Sequence, residues 1–566
     1  MNFSGLVGAQ RLFWAAVTIA LGYLFIVQTL SVRQESYTGD EPLELAAGYS
    51  YLKTGDFRIN PEHPPLSKIV AALPLLGFSL SLPLDSEAWS KPDEGAFSAA
   101  FFRANATSAD EMIFPARMTS IFLTAGLGLA IALWTRAAFG TWAAILALSL
   151  FCLDPTVAAY GRYIKSDIGV TLFSFLTSIA WAAFLGNPRL WTFCLAGISL
   201  GLALATKFSA LFLIPVLAVL YLANCCREPR ALSWRRGIGA LLLVVTFGGC
   251  VTFLIYAAFA LSHGVKLGTV DVRLIHDFCD RDRAHAISRM LSRGLPRVHP
   301  YLEGLLVLLD HNTIGHVAYL FGRQNMYGWW YYFPVAFAVK TPVCTLALLG
   351  LAAVAPFQRR CQPSPFSPPT SRLSFFSLTT PLVVFLGFSM GSHLNIGIRY
   401  LLPIWPFLFV LAAAGLSRVR LPYKPQILAL LCLGLAVESL SIYPDYLAFF
   451  NQLAGGPANG PRILLDSNID WGQDAKKLSL WVAAHHISRL CLDYWGNADI
   501  SRLGLSGPPL PATWETERRR DLDCVGAISV NTLYDFSADQ RTHAWLRALK
   551  PTARIGYSIY IYDLRR

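Results

Sequence analysis

Two acids stand side by side at Asp40 and Glu41, and a histidine follows in the rigid run Pro61-Glu62-His63-Pro64-Pro65-Leu66. A carboxylate can take up a proton, and a histidine whose proline neighbours restrict the backbone can donate a hydrogen bond to a phosphate. Successive residues at a helix start project about 100° apart. One acid can therefore cap or accept structural hydrogen bonds while the other looks into a cavity, and Asp40 is the candidate for chemistry. Plain capping of a helix over 43–52 is the competing reading of the acids, and a simple turn is that of the histidine.

Cations follow at intervals. In Tyr160-Gly161-Arg162-Tyr163-Ile164-Lys165-Ser166-Asp167, Arg162 could fork onto a phosphate with Asp167 orienting it, or it could snorkel while paired with that acid. Lys207, in Ala205-Thr206-Lys207-Phe208-Ser209, is either a second phosphate contact or an interfacial anchor. The run GSHLNIGIR at 391–399 places Asn395 and Arg399 beside an apolar segment, where Arg399 is a donor contact or a snorkelling side chain. Lys340, within an apolar run, is a functional candidate because a charge at that depth is costly.

The elements that must position these residues are membrane helices. Of the 566 residues, 54% are hydrophobic and 14% charged, and the mean hydropathy is +0.46, which points to a polytopic membrane protein. Charge-free runs long enough to cross a bilayer cover 12–32, 118–135, 137–153, 168–188, 190–206, 208–226, 237–262, 373–398 and 400–417. Runs 331–357 and 425–444 hold one charge each, Lys340 and Glu438, so eleven spans are predicted. The prolines and short length of 69–84 read as an interfacial or re-entrant piece, and the first run reads as a retained span.

With the N-terminus in the cytoplasm, the inner loops hold Arg11, Arg136, Arg189, Arg227, Arg230, Arg235, Arg236, Arg359, Arg360, Arg372, Arg418, Arg420 and Lys424 against one acid, Glu228. Those loops carry the whole net charge of +12, so the basic balance reports topology and implies no nucleic acid. Segments 33–116, 154–167, 263–328 and the tail from 445 then face outward, as do the short turns at Lys207 and at 391–399, so every chemical candidate except Lys340 is on the outer side. The tail alternates strand-like runs (462–466, 489–494, 524–530, 554–563) with helical ones (473–486, 538–549), predicting an α/β domain over 445–566 behind a transmembrane domain of 1–444. Cys491 and Cys524 lie in two of these strand-like runs, which leaves a disulfide between them open.

Two metal readings fail on spacing. His276, Cys279, Asp280 and His285 match no closed site, and alternating charge marks a solvated helix face. Asp466 to Asp474 spaces its acids like a calcium loop, but Trp471 and Lys477 occupy the positions that need Gly and Glu, so helix capping is the better reading. Asn105-Ala106-Thr107 is a glycosylation sequon that matters only in a glycosylating compartment.

Taken in order, Asp40-Glu41, the His-Pro-Pro-Leu at 63–66, Arg162 with Asp167 and the arginine of NIGIRYLLP at 395–403 resemble the GT-C glycosyltransferases. The protein O-mannosyltransferases and lipid A aminoarabinose transferases, which use polyprenyl-phosphate-linked sugars, are the kind meant. The resemblance covers nearly the whole membrane region. It implies an all-α polytopic fold and an inverting transfer from a polyprenyl-phosphate sugar to an acceptor hydroxyl on a protein, lipid or glycan. Asp40 would be the general base with Glu41 beside it, their mutual proximity raising the pKa of the pair. His63, Arg162, Lys207 and Arg399 would hold the donor phosphate, with Asp167, Asn395 and Lys340 in support. No metal and no cofactor beyond the lipid-linked co-substrate is firmly implied. His63 stands where the aminoarabinose transferases have lysine, and 263–328 is too short for the β-trefoil of eukaryotic O-mannosyltransferases. GWWYYFPVAFAVKTP and SNIDWGQD look like a bacterial subgroup, which implies the bacterial plasma membrane. The rival class is a secondary transporter or flippase, which would use intramembrane charges such as Lys340 and Glu438 but usually shows two related halves; the second half has no counterpart to residues 40–65.

Overall fold

The computed structural model describes residues 3–105, 107–226, 234–263, 270–271, 297–298, 300–354, 371–419, 421–536 and 542–565. The predicted metal candidates His276, Cys279, Asp280 and His285 lie outside the described residues.

The chain is a mostly helical membrane protein. Among the described residues, seven helices are long and apolar enough to cross a bilayer, from Gly8–Val32 to Lys424–Ser441. The run predicted as one span over 331–357 is a bent pair of helices, Tyr332–Lys340 and Val343–Val354, that turns through 111°. Pro342 causes the break: it has no N–H to continue the ladder, and it forces Thr341 into an extended conformation (ψ 132°). The carbonyls freed at the bend are not wasted, because the Asn451 amide donates to Ala338 O at 2.6 Å and to Thr341 O at 2.8 Å. Three further predicted spans form shorter helices, Thr141–Cys152, Leu190–Leu204 and Phe375–Met390. The 69–84 piece coils briefly, over Leu66–Ala72 and Leu73–Gly77, and goes no further.

The helix after Asp40 runs Glu41–Thr54, opened by Pro42 and closed by Gly55 in the left-handed conformation (φ 68°). It is buried on nearly all sides. Gly48 makes that possible: a Cβ there would lie 2.1 Å from the Lys68 carbonyl oxygen, so the helix backbone touches the segment that follows the His-Pro-Pro turn. The long Ala109–Phe139 helix starts at a capping box between Ser108 and Glu111. Just before it, the sequon residue Asn105 is buried and bonds Ser81 and Phe101, which removes its amide from modification.

In the tail, β1 (Leu490–Asp493) pairs in parallel with β2 (Val525–Ser529), which is antiparallel to β4 (Ile559–Asp563), with β3 (Ala553–Ile555) at the edge. Cys491 and Cys524 are disulfide-bonded. The predicted strand at 554–563 is therefore two strands of a hairpin, and 462–466 is not a strand. Residues 466–474 form a buried loop packed against the membrane part, and Asp474 makes no side-chain cap for the Ala475–Ala484 helix that follows.

Candidate active site

Asp40 ends the link between the first membrane helix and the Glu41–Thr54 helix, at the N-cap of the latter, yet its side chain caps nothing. The carboxylate instead reaches across to two cations: Oδ2 accepts from Lys165 Nζ at 2.9 Å and from an Arg399 terminal nitrogen at 3.4 Å. Lys165 also donates to Glu44 Oε1 at 2.7 Å. The same Arg399 nitrogen lies 4.0 Å from Asp167 Oδ2, and Asp167 is ion-paired with Lys207. Since Asp167 begins the Ser166–Gly186 helix and Lys207 follows the Leu190–Leu204 helix, these neighbours run antiparallel and bring their ends to one place.

Three cations, Lys165, Lys207 and Arg399, thus face three carboxylates, Asp40, Glu44 and Asp167. Asp40 is the open member: 30% of its side chain remains exposed, against 10% or less for the other five. Aromatic faces support the cations, with Lys207 over Tyr400 at 4.5 Å and Arg399 over Trp471 at 4.4 Å. Burial favours protonation of Asp40, but Lys165 and Arg399 outweigh it and hold the carboxyl at about 2. The sequence led to the opposite direction, a pair raised by mutual repulsion. The repulsion is absent because Glu41 faces elsewhere.

Glu41 is fully buried and bidentate to Arg117, at 2.8 and 2.6 Å, and it also accepts the N–H groups of Thr38 and Ile164. Four donors close both oxygens. The side chain fastens the link before it, the Ala109–Phe139 helix and the turn that presents Lys165, and so it holds Asp40 in place. Arg162 is also 0% exposed, bonded to Glu35 at 2.6 Å and to Tyr163, which takes it away from any ligand. Lys340 stabilises the bent span by donating to Leu447 O at 2.8 Å and Asn468 O at 2.6 Å. Asn395 accepts from Trp329 N–H and donates to Ser392 O, holding the loop before Arg399.

His63 makes no side-chain hydrogen bond or ion pair to the cluster among the described residues, but its ring feels the cluster's charges. Burial, and then the charges of Lys165, Lys207, Lys68 and Arg399, push its pKa well below the usual value, so the ring is neutral and can donate one hydrogen bond. Its Nδ1 is buried and has no partner among the described residues. Lys68 fixes the turn from behind, donating to the carbonyls of Asn60 and His63.

The structure adds residues that sequence reasoning passed over. Lys165 stood in the same quoted turn as Arg162 but was overshadowed by the arginine's forked geometry. Glu44 was one residue of the helix predicted over 43–52, with nothing in its type to set it apart. The tail contribution was hidden by sequence distance: Trp471 O accepts Gly39 N–H at 2.8 Å, Gln473 O accepts Ser36 N–H at 2.8 Å, and Asn497 donates to Gly39 O at 2.7 Å. Loop 466–474 is therefore a wall of the site. Asp466, on that wall, is raised to about 7 by burial against the pull of Arg399.

No curated protein matches the chain. Among solved structures, ArnT from Cupriavidus metallidurans bound to undecaprenyl phosphate is 12% identical, covering 97% of this chain and 99% of that one at a TM-score of 0.46. The S. cerevisiae protein O-mannosyltransferase complex bound to the sugar donor is 10% identical, covering 77% and 89% at 0.48. The oligosaccharyltransferase of Archaeoglobus fulgidus is 14% identical, covering 77% and 57% at 0.43. Residues 21–264, the stretch that carries Asp40, His63, Lys165, Asp167 and Lys207, match the model of the dolichyl-phosphate-mannose-protein mannosyltransferase family, and over that stretch the chain is similar to that family.

Proposed function

We propose that the protein is a membrane glycosyltransferase that moves a sugar from a polyprenyl-phosphate carrier to an acceptor hydroxyl, with Asp40 as general base. The observation that carries this reading is the contrast within one cluster: a carboxylate open to its surroundings, backed by three largely enclosed cations, two of them, Lys207 and Arg399, on aromatic faces. Positive charge suits a lipid phosphate, and an open carboxylate suits a hydroxyl. The family match over residues 21–264 supports the same donor class.

In the reaction, Asp40 takes the proton of the acceptor O–H as that oxygen bonds to the anomeric carbon. The bond from that carbon to the phosphate oxygen breaks, and its electron pair leaves with the lipid phosphate. That anion is stable without protonation, so no general acid is required, unlike the two-carboxylate arrangement of glycosidases. A single displacement inverts the anomeric centre. Because the cluster is already neutral, an arriving phosphate must compete with carboxylates for Lys165, Lys207 and Arg399. Each contact it wins from Asp40 raises the basicity of Asp40, which makes the base effective when the donor is in place.

We place the cluster and the 445–566 tail on the extracytoplasmic side of a bacterial plasma membrane, with the N-terminus cytoplasmic. The inner-loop charge bias and the Cys491–Cys524 disulfide support this. The acceptor is a protein, lipid or glycan hydroxyl. Asp40→Asn in the purified protein tests the reading, given a polyprenyl-phosphate sugar and candidate acceptors. Transfer falls by about 10²–10⁴-fold while binding of the lipid phosphate persists; undiminished transfer removes Asp40 as base. Movement of lipid by the unmutated protein, with no sugar transferred, would make it a transporter.

A further inference from the structure

The 466–474 wall is bolted down with one side chain left over. Ser467 donates to Ile396 O, Asn468 accepts Ile398 N–H and donates to Tyr332, Asp470 accepts Gly472 N–H, and Gln473 donates to Ile469 O. Asp466 is anchored through its backbone, its N–H donating to Asn531 Oδ1 at 3.0 Å, and its carboxyl accepts the N–H of the adjacent Ser467. Its side chain is 8% exposed, and its Oδ2 has no hydrogen-bond partner among the described residues. Unpartnered buried atoms also remain on Asp167 (Oδ2) and Arg399 (Nε) in the cluster and on His63 (Nδ1).

Asp466 also holds a left-handed backbone (φ 57°) that glycine adopts freely and a residue with a Cβ adopts at a cost. The carboxyl is thus kept where a smaller residue would fold more easily. The Ser467 N–H occupies one side of the carboxyl and leaves Oδ2 free, and no ion pair takes Oδ2 up, since Arg399 directs its contacts within 4.0 Å to Asp40 and Asp167.

We infer that Asp466 is a subsite for a hydroxyl of the sugar on the donor, accepting that hydroxyl through its free Oδ2. The inference rests on the donor reading above and adds where the sugar lies. The loop that carries Asp466 borders the same space, since Trp471 lies against Arg399 at 4.4 Å and its carbonyl accepts the N–H of Gly39, the neighbour of Asp40. A carboxyl suits no phosphate oxygen, but the sugar is joined to the phosphate through a single oxygen. A phosphate on Arg399 therefore brings ring hydroxyls next to Asp466. Asp40 then serves the incoming acceptor while Asp466 holds the sugar being transferred.

Glycine fits the backbone at this position, so Asp466→Gly removes the carboxyl without threatening the fold. The test measures binding of bare polyprenyl phosphate, and of a panel of polyprenyl-phosphate monosaccharides, to the full-length protein. The wild type is expected to bind one sugar-bearing lipid about tenfold tighter than the bare lipid phosphate. D466G brings that ratio to about one and shifts affinity for the bare lipid by no more than about twofold. D466N, which keeps an oxygen acceptor in the same shape, retains part of the preference. A preference that survives in D466G overturns the subsite, and so does a parallel loss of affinity for both lipids. A wild type that binds bare lipid phosphate but prefers no sugar-bearing lipid also overturns it, leaving the phosphate reading standing. A wild type that binds none of these lipids overturns the donor reading and the subsite with it.

Discussion

Lys165 Nζ stands 2.9 Å from Asp40 Oδ2 and 2.7 Å from Glu44 Oε1, so one ammonium joins the proposed base to a carboxylate buried behind it. Burial disfavours that charge, but the two acids more than compensate, and the Lys165 pKa is raised. Removing it as Lys165→Met takes away the largest opposing charge on Asp40. The Asp40 pKa is then expected to rise from about 2 toward the ordinary aspartate value of about 3.9. The acid limb of kcat/KM, which reports the free enzyme, moves up in pH by the same amount; an unmoved limb would show that Asp40 does not govern it.

The adjacent acid behaves differently. Glu41→Gln leaves the Arg117 guanidinium buried without its counterion, which costs about 3–5 kcal/mol. The melting temperature falls sharply, and the double replacement Glu41→Leu with Arg117→Met recovers part of the loss. Asp40→Asn, at an open position, leaves the melting temperature within a few degrees. Thermal denaturation of the three variants separates positioning from chemistry.

Gly48→Ala is expected to damage the site from a distance. The new Cβ would meet a backbone carbonyl at Lys68, which cannot swing aside, so the Glu41–Thr54 helix must shift, at a cost of about 1–3 kcal/mol. Asp40 and His63 sit on the two segments forced apart. Activity and melting temperature fall together, and preserved activity would show that this contact does not set the Asp40–His63 geometry.

A pH-dependent contribution to stability resides in the tail. His543 lies between Asp535 Oδ1 at 3.1 Å and Asp493 Oδ2 at 3.4 Å. Burial opposes its charge, but the two carboxylates prevail and raise the pKa to about 9. Because the folded value lies above the unfolded value of about 6.5, the stabilisation is complete below that pH. It is lost as pH climbs through about 9. Melting temperatures taken from pH 6 to 10 decline in this window, and His543→Gln flattens the decline.

What could be read from the sequence followed from local patterns. Apolar runs reveal helices because each segment carries its own evidence, and the acids before Pro42 and the His-Pro-Pro turn mark themselves by stiffness. Geometry across segments is not local. Nothing in the residue types of Arg162 and Lys165 says which one Glu35 will claim; burial of the first with Glu35 left the second for Asp40. Run 331–357 read as a single span because hydropathy is blind to direction, whereas Pro342 turned it through 111°. The carboxyl of Asp466 was visible only as part of an imperfect calcium pattern, since its significance depends on Arg399 and on a fold that returns the tail to the first loop.

That return has a consequence for biosynthesis. Lys340 is buried beneath the carbonyls of Leu447 and Asn468, and Arg399 is sandwiched by Trp471, so groups in the middle of the chain wait for partners made near its end. A nascent chain that has already threaded its helices still holds an unfinished catalytic chamber. The tail acts as a keystone, and activity is expected only once it has folded against the first loop and Arg399.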